Sequence, residues 1–208
     1  MAHDHIFPAT LALLLLCASG AYATDPLEFK GLKIGSTAEE LRTKYPELRC
    51  NDPIQKATTE KGFFKDFWER KQTDADLFCA TVISDRDPRT QLSDIAGHRA
   101  TSFDFNFFGN RLMHASTSLS SLAFDDVVAA LSARYGPPDK KDTEELQNRA
   151  GAKFTNIIVS WRRDGATLRV SKYDGSLDKS SYNLTSDDYW PEVENRRAAR
   201  AKASAKSL

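Results

Sequence analysis

Phe103, Phe105 and Phe107 alternate with Ser102, Asp104 and Asn106, and no other stretch constrains the fold of this chain so tightly. Successive side chains of a strand point to opposite faces, so a period of two describes a strand with one aromatic face and one polar face. Gly109-Asn110 then turns the chain into a returning strand over residues 111–119. Later, Ile157, Val159 and Trp161 alternate along a strand that ends at Asp164-Gly165, a second hairpin signal. Residues 166–173 return, with Leu168 and Val170 on one face and Thr167, Arg169 and Ser171 on the other. A shorter strand is expected over residues 182–185.

Two segments switch to helical periodicity. Ser36-Thr37-Ala38-Glu39 reads as a capping box, with Ser36 as the cap. Ala38, Leu41 and Tyr45 follow on one face, and Pro46 stops the helix. Phe124, Val127, Val128, Leu131 and Tyr135 form a second apolar stripe, closed by Gly136 as a left-handed cap and by Pro137-Pro138. Leu41-Arg42-Thr43-Lys44-Tyr45-Pro46 matches Leu131-Ser132-Ala133-Arg134-Tyr135-Gly136 as Leu, two spacers, a base, Tyr and a breaker. Each match precedes strands, which points to an α+β fold. Its antiparallel sheet is flanked by helices and built from two tandem helix-then-hairpin repeats over residues 24–119 and 120–190.

The start of the chain carries an export signature. Residues 11–17 read Leu-Ala-Leu-Leu-Leu-Leu-Cys, and Ala21-Tyr22-Ala23 offers the small-x-small pattern of a cleavage site, so residues 1–23 are expected to be a signal peptide cut after Ala23. Residues 1–8 contain no Lys or Arg, which leaves an uncleaved anchor as the alternative, but the apolar run is far shorter than the ~20 residues of a membrane span. A lipid-modified Cys17 is disfavoured because Leu16 before it is not small. Export removes the chain from cytosolic ATP and nucleic acid. It also makes Cys50 and Cys79, the cysteines left after cleavage, most simply a disulfide. A reactive or metal-bound thiol pair is the rival, against which stand the missing Cys-x-x-Cys spacing and the lack of a nearby histidine.

Lys and Arg number 29, as do Asp and Glu, but the balance is uneven. Residues 191–208 form a basic tail with Arg196, Arg197, Arg200, Lys202 and Lys206, leaving the body mildly acidic and unsuited to nucleic acid. The tail reads as a solvated, partly helical end whose membrane contact is at most peripheral.

Several strings are familiar in combination: Gly31-Leu32-Lys33-Ile34-Gly35-Ser36-Thr37, Lys44-Tyr45-Pro46, Cys50 and Cys79, then Arg111-Leu112, Arg134-Tyr135-Gly136-Pro137, Asn156 and Trp161. Together they resemble small exported proteins of Gram-negative bacteria. The arrangement is similar to the helix-plus-sheet repeat of the β-lactamase inhibitor protein and of the small lipoproteins of outer-membrane β-barrel assembly. What the resemblance implies is a periplasmic module that binds macromolecules and catalyses nothing.

Candidate chemistry is sparse. His98, in an expected turn after Gly97, and His114, on a strand, are the histidines beyond the leader, and Gly-x-Ser-x-Gly is missing, so a Ser-His-Asp hydrolase has little support. No spacing suggests a metal site or a cofactor. Of the acid pairs Asp125-Asp126, Glu144-Glu145 and Asp187-Asp188, the first and last suit helix starts, and neighbours in sequence are rarely arranged for glycoside cleavage. Asn183-Leu184-Thr185 matches a glycosylation acceptor, which matters only in a eukaryotic secretory route.

Two sets remain as binding candidates. Phe63, Phe64, Phe67 and Trp68 form one wide helical face that serves either as interface anchors or, more in keeping with large aromatics, as core. Asp104, Asn106, Arg162 and Arg169 lie on the expected solvent side of the sheet. The leading expectation is a non-enzymatic periplasmic module for a protein partner or envelope assembly. Behind it stand a small-ligand or envelope-polymer binder and, last, a carboxylate-dependent hydrolase.

Overall fold

A computed structural model describes residues 25–51, 74–82, 92–148 and 150–205. The expected leader, its cleavage point after Ala23, and the cluster Phe63, Phe64, Phe67 and Trp68 lie outside the described residues.

The period-two stretches form a large antiparallel sheet. Its strands are β3 (Arg49–Cys50), β4 (Leu77–Val82), β5 (Asp94–Ile95), β6 (His98–Phe108), β7 (Arg111–Ser120), β8 (Lys140–Gln147), β9 (Lys153–Arg163), β10 (Ala166–Ser171) and β11 (Lys179–Ser186). They follow the order β3-β4-β6-β7-β11-β10-β9-β8, with β5 against β6. A small hairpin, β1 (Glu28–Phe29) and β2 (Leu32–Lys33), stands apart from the sheet. The helices among the described residues are α1 (Ala38–Lys44), α2 (Phe124–Tyr135) and α3 (Tyr189–Ala205). The fold is therefore α+β with an antiparallel sheet and flanking helices. Helix α1 is followed by the meander β3-β4-β6-β7 and α2 by the meander β8-β9-β10-β11, and the two meanders join through their last strands, β7 against β11.

Both hairpin signals fold as read. Gly109 and Asn110 have φ of 55° and 60°, and Asp164 and Gly165 have 50° and 74°, the left-handed pairs that match the twist of the flanking strands.

Other expectations shift. Thr37, not Ser36, caps α1: its hydroxyl accepts from the Glu40 N–H at 3.2 Å, and the Glu40 carboxylate accepts from the Thr37 N–H at 2.8 Å. The box lies one residue later because Ser36 is buried, its N–H bound to the Lys33 carbonyl. Gly136 takes a positive φ of 82° but a ψ of −177°, so it ends α2 by extending the chain rather than by a left-handed cap. His98 begins β6; the turn before it is Ala96-Gly97. β11 runs well beyond the expected residues 182–185.

Cross-strand register places Phe105, Ala115, Leu184, Leu168 and Trp161 in one row, and Phe103, Thr117, Tyr182, Val170 and Val159 in the next. This face is the core. Leu41 of α1 and Phe124, Val127, Leu131 and Tyr135 of α2 are buried in the same cluster. Trp161 donates its indole N–H to the Gly136 carbonyl at 2.8 Å, so a fully buried polar atom keeps a partner.

Phe29 closes the centre. Its ring stacks on Tyr182 at 4.9 Å and meets Phe103 and Phe105 edge-on at 6.0 and 5.8 Å. Three tyrosine hydroxyls hold its hairpin: Tyr45 donates to the Lys30 carbonyl at 2.6 Å, Tyr182 donates to the Glu28 carbonyl at 3.1 Å, and Tyr135 accepts the Glu28 N–H at 3.2 Å. The matched tyrosines of the two helices thus meet one short hairpin.

Cys50 and Cys79 face each other across β3 and β4, at disulfide distance with sulfurs 1.95 Å apart. Both are buried in the core.

Two outcomes follow from this packing. Phe29→Ala is expected to cost about 3–5 kcal/mol, the usual penalty for emptying an aromatic site, and a loss under ~1 kcal/mol in urea denaturation would show the hairpin to be dispensable. Reduction of Cys50–Cys79 is expected to lower stability by roughly 3–4 kcal/mol on the loop-entropy account, read as a shift of the denaturation midpoint with reductant that Cys50→Ser abolishes.

Candidate functional site

The second face of the sheet carries small polar side chains. One row reads Ser102, Ser118, Ser181 and Ser171 across β6, β7, β11 and β10. The next reads Asp104, Ser116, Asn183, Arg169 and Ser160, and a third reads Asn106, His114, Thr185, Thr167 and Arg162. The sequence-derived set Asp104, Asn106, Arg162 and Arg169 therefore shares one face, in two adjacent rows.

These four residues are not equally accessible. Arg162 and Arg169 are exposed and Asp104 is half-buried, but Asn106, expected at the solvent side, is only 7 % exposed. Its row ends under the start of α3, where the Tyr189 ring stacks on His114 at 4.7 Å. Asp104 and Asn106 each make further contacts in the fold.

Helix α3 closes that end of the face. Val193 is buried, Tyr189 meets Phe108 edge-on at 5.8 Å, and the Arg196 guanidinium lies 4.6 Å over the Phe108 ring. Arg196 also grips Asp76 through both terminal nitrogens at 2.5 and 3.1 Å, while Arg197 and Arg200 both pair with Asp74. The basic tail is therefore an ordered helix through Ala205, and three of its cations are bound to residues ahead of β4. The end is helical and exposed from residue 197 onward, as expected, but charge alone conceals that Tyr189, Val193 and Arg196 recur on one helical face that packs on the sheet. Trp190, beside Tyr189, remains 58 % exposed.

The opposite end of the face holds a notch of about 330 Å³ lined by Leu146, Phe154, Tyr173 and Leu177, with Gln147, Asn148 and Ser176 at its rim. Buried Asn156 fixes one wall, donating to the Tyr173 carbonyl at 3.1 Å and accepting the Tyr173 N–H at 2.8 Å. Its side-chain nitrogen also donates to Glu144 at 2.8 Å and to Ser171 at 3.1 Å. Sequence reading missed this site because β8 is almost wholly charged and exposed, so its period carries no apolar signal. The cross-strand partners Leu146 and Phe154 were the available clue.

The acid pairs occupy separate surroundings. Asp126, in the first turn of α2, pairs with His98 at 2.7 Å. Glu144 binds Asn156 and Glu145 pairs with Lys153 at 2.8 Å. Asp187 pairs with Arg162 at 2.6 Å. Among the described residues no group of three or more His, Cys, Asp or Glu side chains is placed to hold a metal ion, and no helix is long and apolar enough to cross a membrane.

His114 is the strongly perturbed histidine of the face. Burial between β11 and Tyr189 disfavours its charged form and lowers its pKa to about 4. Its Nδ1 lies 2.9 Å from the Thr185 hydroxyl. Asp76 is also held below the ordinary carboxylate range, first by its hydrogen bond from Arg196 and then by the Gly109 N–H.

Comparison with protein-family models, curated proteins and solved structures returns no match.

A neutral His114 stabilises the fold fully above pH 6.5, and its contribution is lost as pH falls toward about 4, because the unfolded chain takes up the proton first. The expected loss over this window is on the order of 3 kcal/mol. It is read as a fall in melting temperature that His114→Gln flattens; Asp76 acts only at lower pH, as its carboxylate protonates. An unchanged slope in that variant would assign the acid sensitivity elsewhere.

Proposed function

We propose that this chain is a non-enzymatic binding module of the cell envelope, exported to the periplasm, that holds a protein partner on the open face of its sheet. The observation that carries this reading is the composition of that face. Arg162 and Arg169 are exposed on a floor of serine, threonine and asparagine side chains, and Trp190 is exposed on α3 beside Tyr189, which packs on one end of that floor. Tryptophan and arginine are the side chains that most often anchor protein interfaces, and a floor of short hydroxyl groups lets a partner approach the backbone closely.

The leader signature, the cysteine pair and the resemblance to exported helix-plus-sheet modules support the same reading. They also support treating the two helix-then-meander halves as tandem repeats. Among the described residues α1, α2 and the β1–β2 hairpin pack on the other face, while α3 packs on this one at its His114 end. The small-ligand reading has its own observation, the notch between Phe154 and Tyr173.

The test is photo-crosslinking of the full chain in its native envelope, comparing the wild type with Trp190→Ala and Arg162→Ala. Both sites are exposed, so melting temperatures should be unchanged. Capture of the main adduct is expected to fall roughly tenfold or more in each variant, as for loss of an interface anchor. Equal capture by all three proteins would overturn the reading.

A further inference from the structure

Arg169 stands near the middle of the open face. It is exposed, its cross-strand neighbours are Asn183 and Ser160, and Thr167 and Ser171 flank it along β10 on the same face. None of these neighbours is acidic. Arg162, by contrast, is satisfied by Asp187, and Lys140 pairs with Asp142 at 2.8 Å. Among the described residues Arg169 makes no ion pair. A guanidinium beside hydroxyl and amide donors is a site for a carboxylate, to which Asn183, Ser160 and Thr167 can add hydrogen bonds, while Ser171 is buried and already donates to the Tyr173 carbonyl.

The notch lies on the same side of the sheet. Phe154 has the same parity along β9 as Ser160, the partner of Arg169, and Leu146 faces Phe154. At ~3.3 Å per residue, the notch wall at Tyr173 is about 13 Å from Arg169 along the chain, and Phe154 is about 20 Å from the Arg169 row along β9. The wall needs no partner to form, since buried Asn156 already binds both backbone groups of Tyr173.

Resting on the protein-binding reading above, we propose that the partner presents an extended segment: one carboxylate meets Arg169 while an apolar side chain about four to six residues away enters the notch. An extended chain turns alternate side chains to one side, so only even spacings satisfy both points. Arg169 favours a carboxylate at that one point, Asp142 and Glu144 beside the path to the notch disfavour further acids between the two points, and the apolar notch favours a protein segment over a purely hydrophilic polymer.

The proposal is tested by titrating the full chain with short synthetic peptides in a Ser/Thr background. Each carries one Phe and one Glu, about four residues apart in the first and about six in the second, and matched controls carry Gln in place of Glu. One Glu peptide is expected to bind roughly tenfold more tightly than its Gln control at low salt, with the advantage lost at about 0.5 M salt and in Arg169→Gln. Leu177→Ser, at an exposed position, is expected to weaken the Glu and Gln peptides alike. No binding by any peptide, equal binding of the Glu and Gln pair, or a preference that survives Arg169→Gln overturns the proposal. So does binding of polygalacturonate that depends on Arg169 but not on Leu177, which would make the occupant an acidic polysaccharide. If envelope capture depends on Trp190 and Arg162 while Arg169→Gln and Leu177→Ser leave it intact, this inference fails and the broader reading stands.

Discussion

One row of side chains, Phe105, Ala115, Leu184, Leu168 and Trp161, crosses five strands and unites the two halves of the sheet. Everything else is arranged to keep that row dry. Two short helices cannot cover a sheet this wide, so the β1–β2 hairpin inserts Phe29 between them. A hairpin of two-residue strands has little stability of its own. The Tyr45, Tyr135 and Tyr182 hydroxyls supply the hydrogen bonds it lacks, and burial raises the pKa of all three above the ordinary tyrosine value.

Because the main core lies on that side, the middle of the other face is left to polar side chains. Its hydroxyl and amide groups sit on strands whose geometry is fixed from behind, which positions Arg162 and Arg169 without any loop having to order. Helix α3 limits this freedom at one end, where Tyr189 and Arg196 clasp Phe108 and His114. The proposed binding face is thus bounded by a rigid aromatic corner at α3 and by the Phe154–Tyr173 notch at the far side.

What the sequence disclosed follows from how each signal arises. Phe103, Phe105 and Phe107, or Ile157, Val159 and Trp161, announce a strand because one face is buried and the other is wet. β8 is exposed along nearly all its length and therefore has no contrast to read. Asn106 looked solvent-facing by parity, and it does share the polar face, but it is buried there beside His114, on which Tyr189 of α3 stacks, and local pattern does not encode such long-range cover. The same limit hid the pairing of Arg196 with Asp76, separated by 120 residues. The cap of α1 slipped by one residue because Ser36 and Thr37 are chemically equivalent caps, and only burial distinguishes them. For the candidate site, parity alone grouped Asp104, Asn106, Arg162 and Arg169, whereas the notch needed the register of β8 against β9.

The strand order has a consequence for how the molecule is made. β11, the last strand, lies between β7 and β10 near the middle of the sheet. Until residue 186 is available, β7 ends the first meander with an open edge and β10 ends the second, so neither half can dock on the other. Synthesis from the N-terminus therefore yields two unjoined ladders, and a single late insertion zips them together. A nascent chain of this design has high contact order, and its two halves stay unjoined until β11 is free.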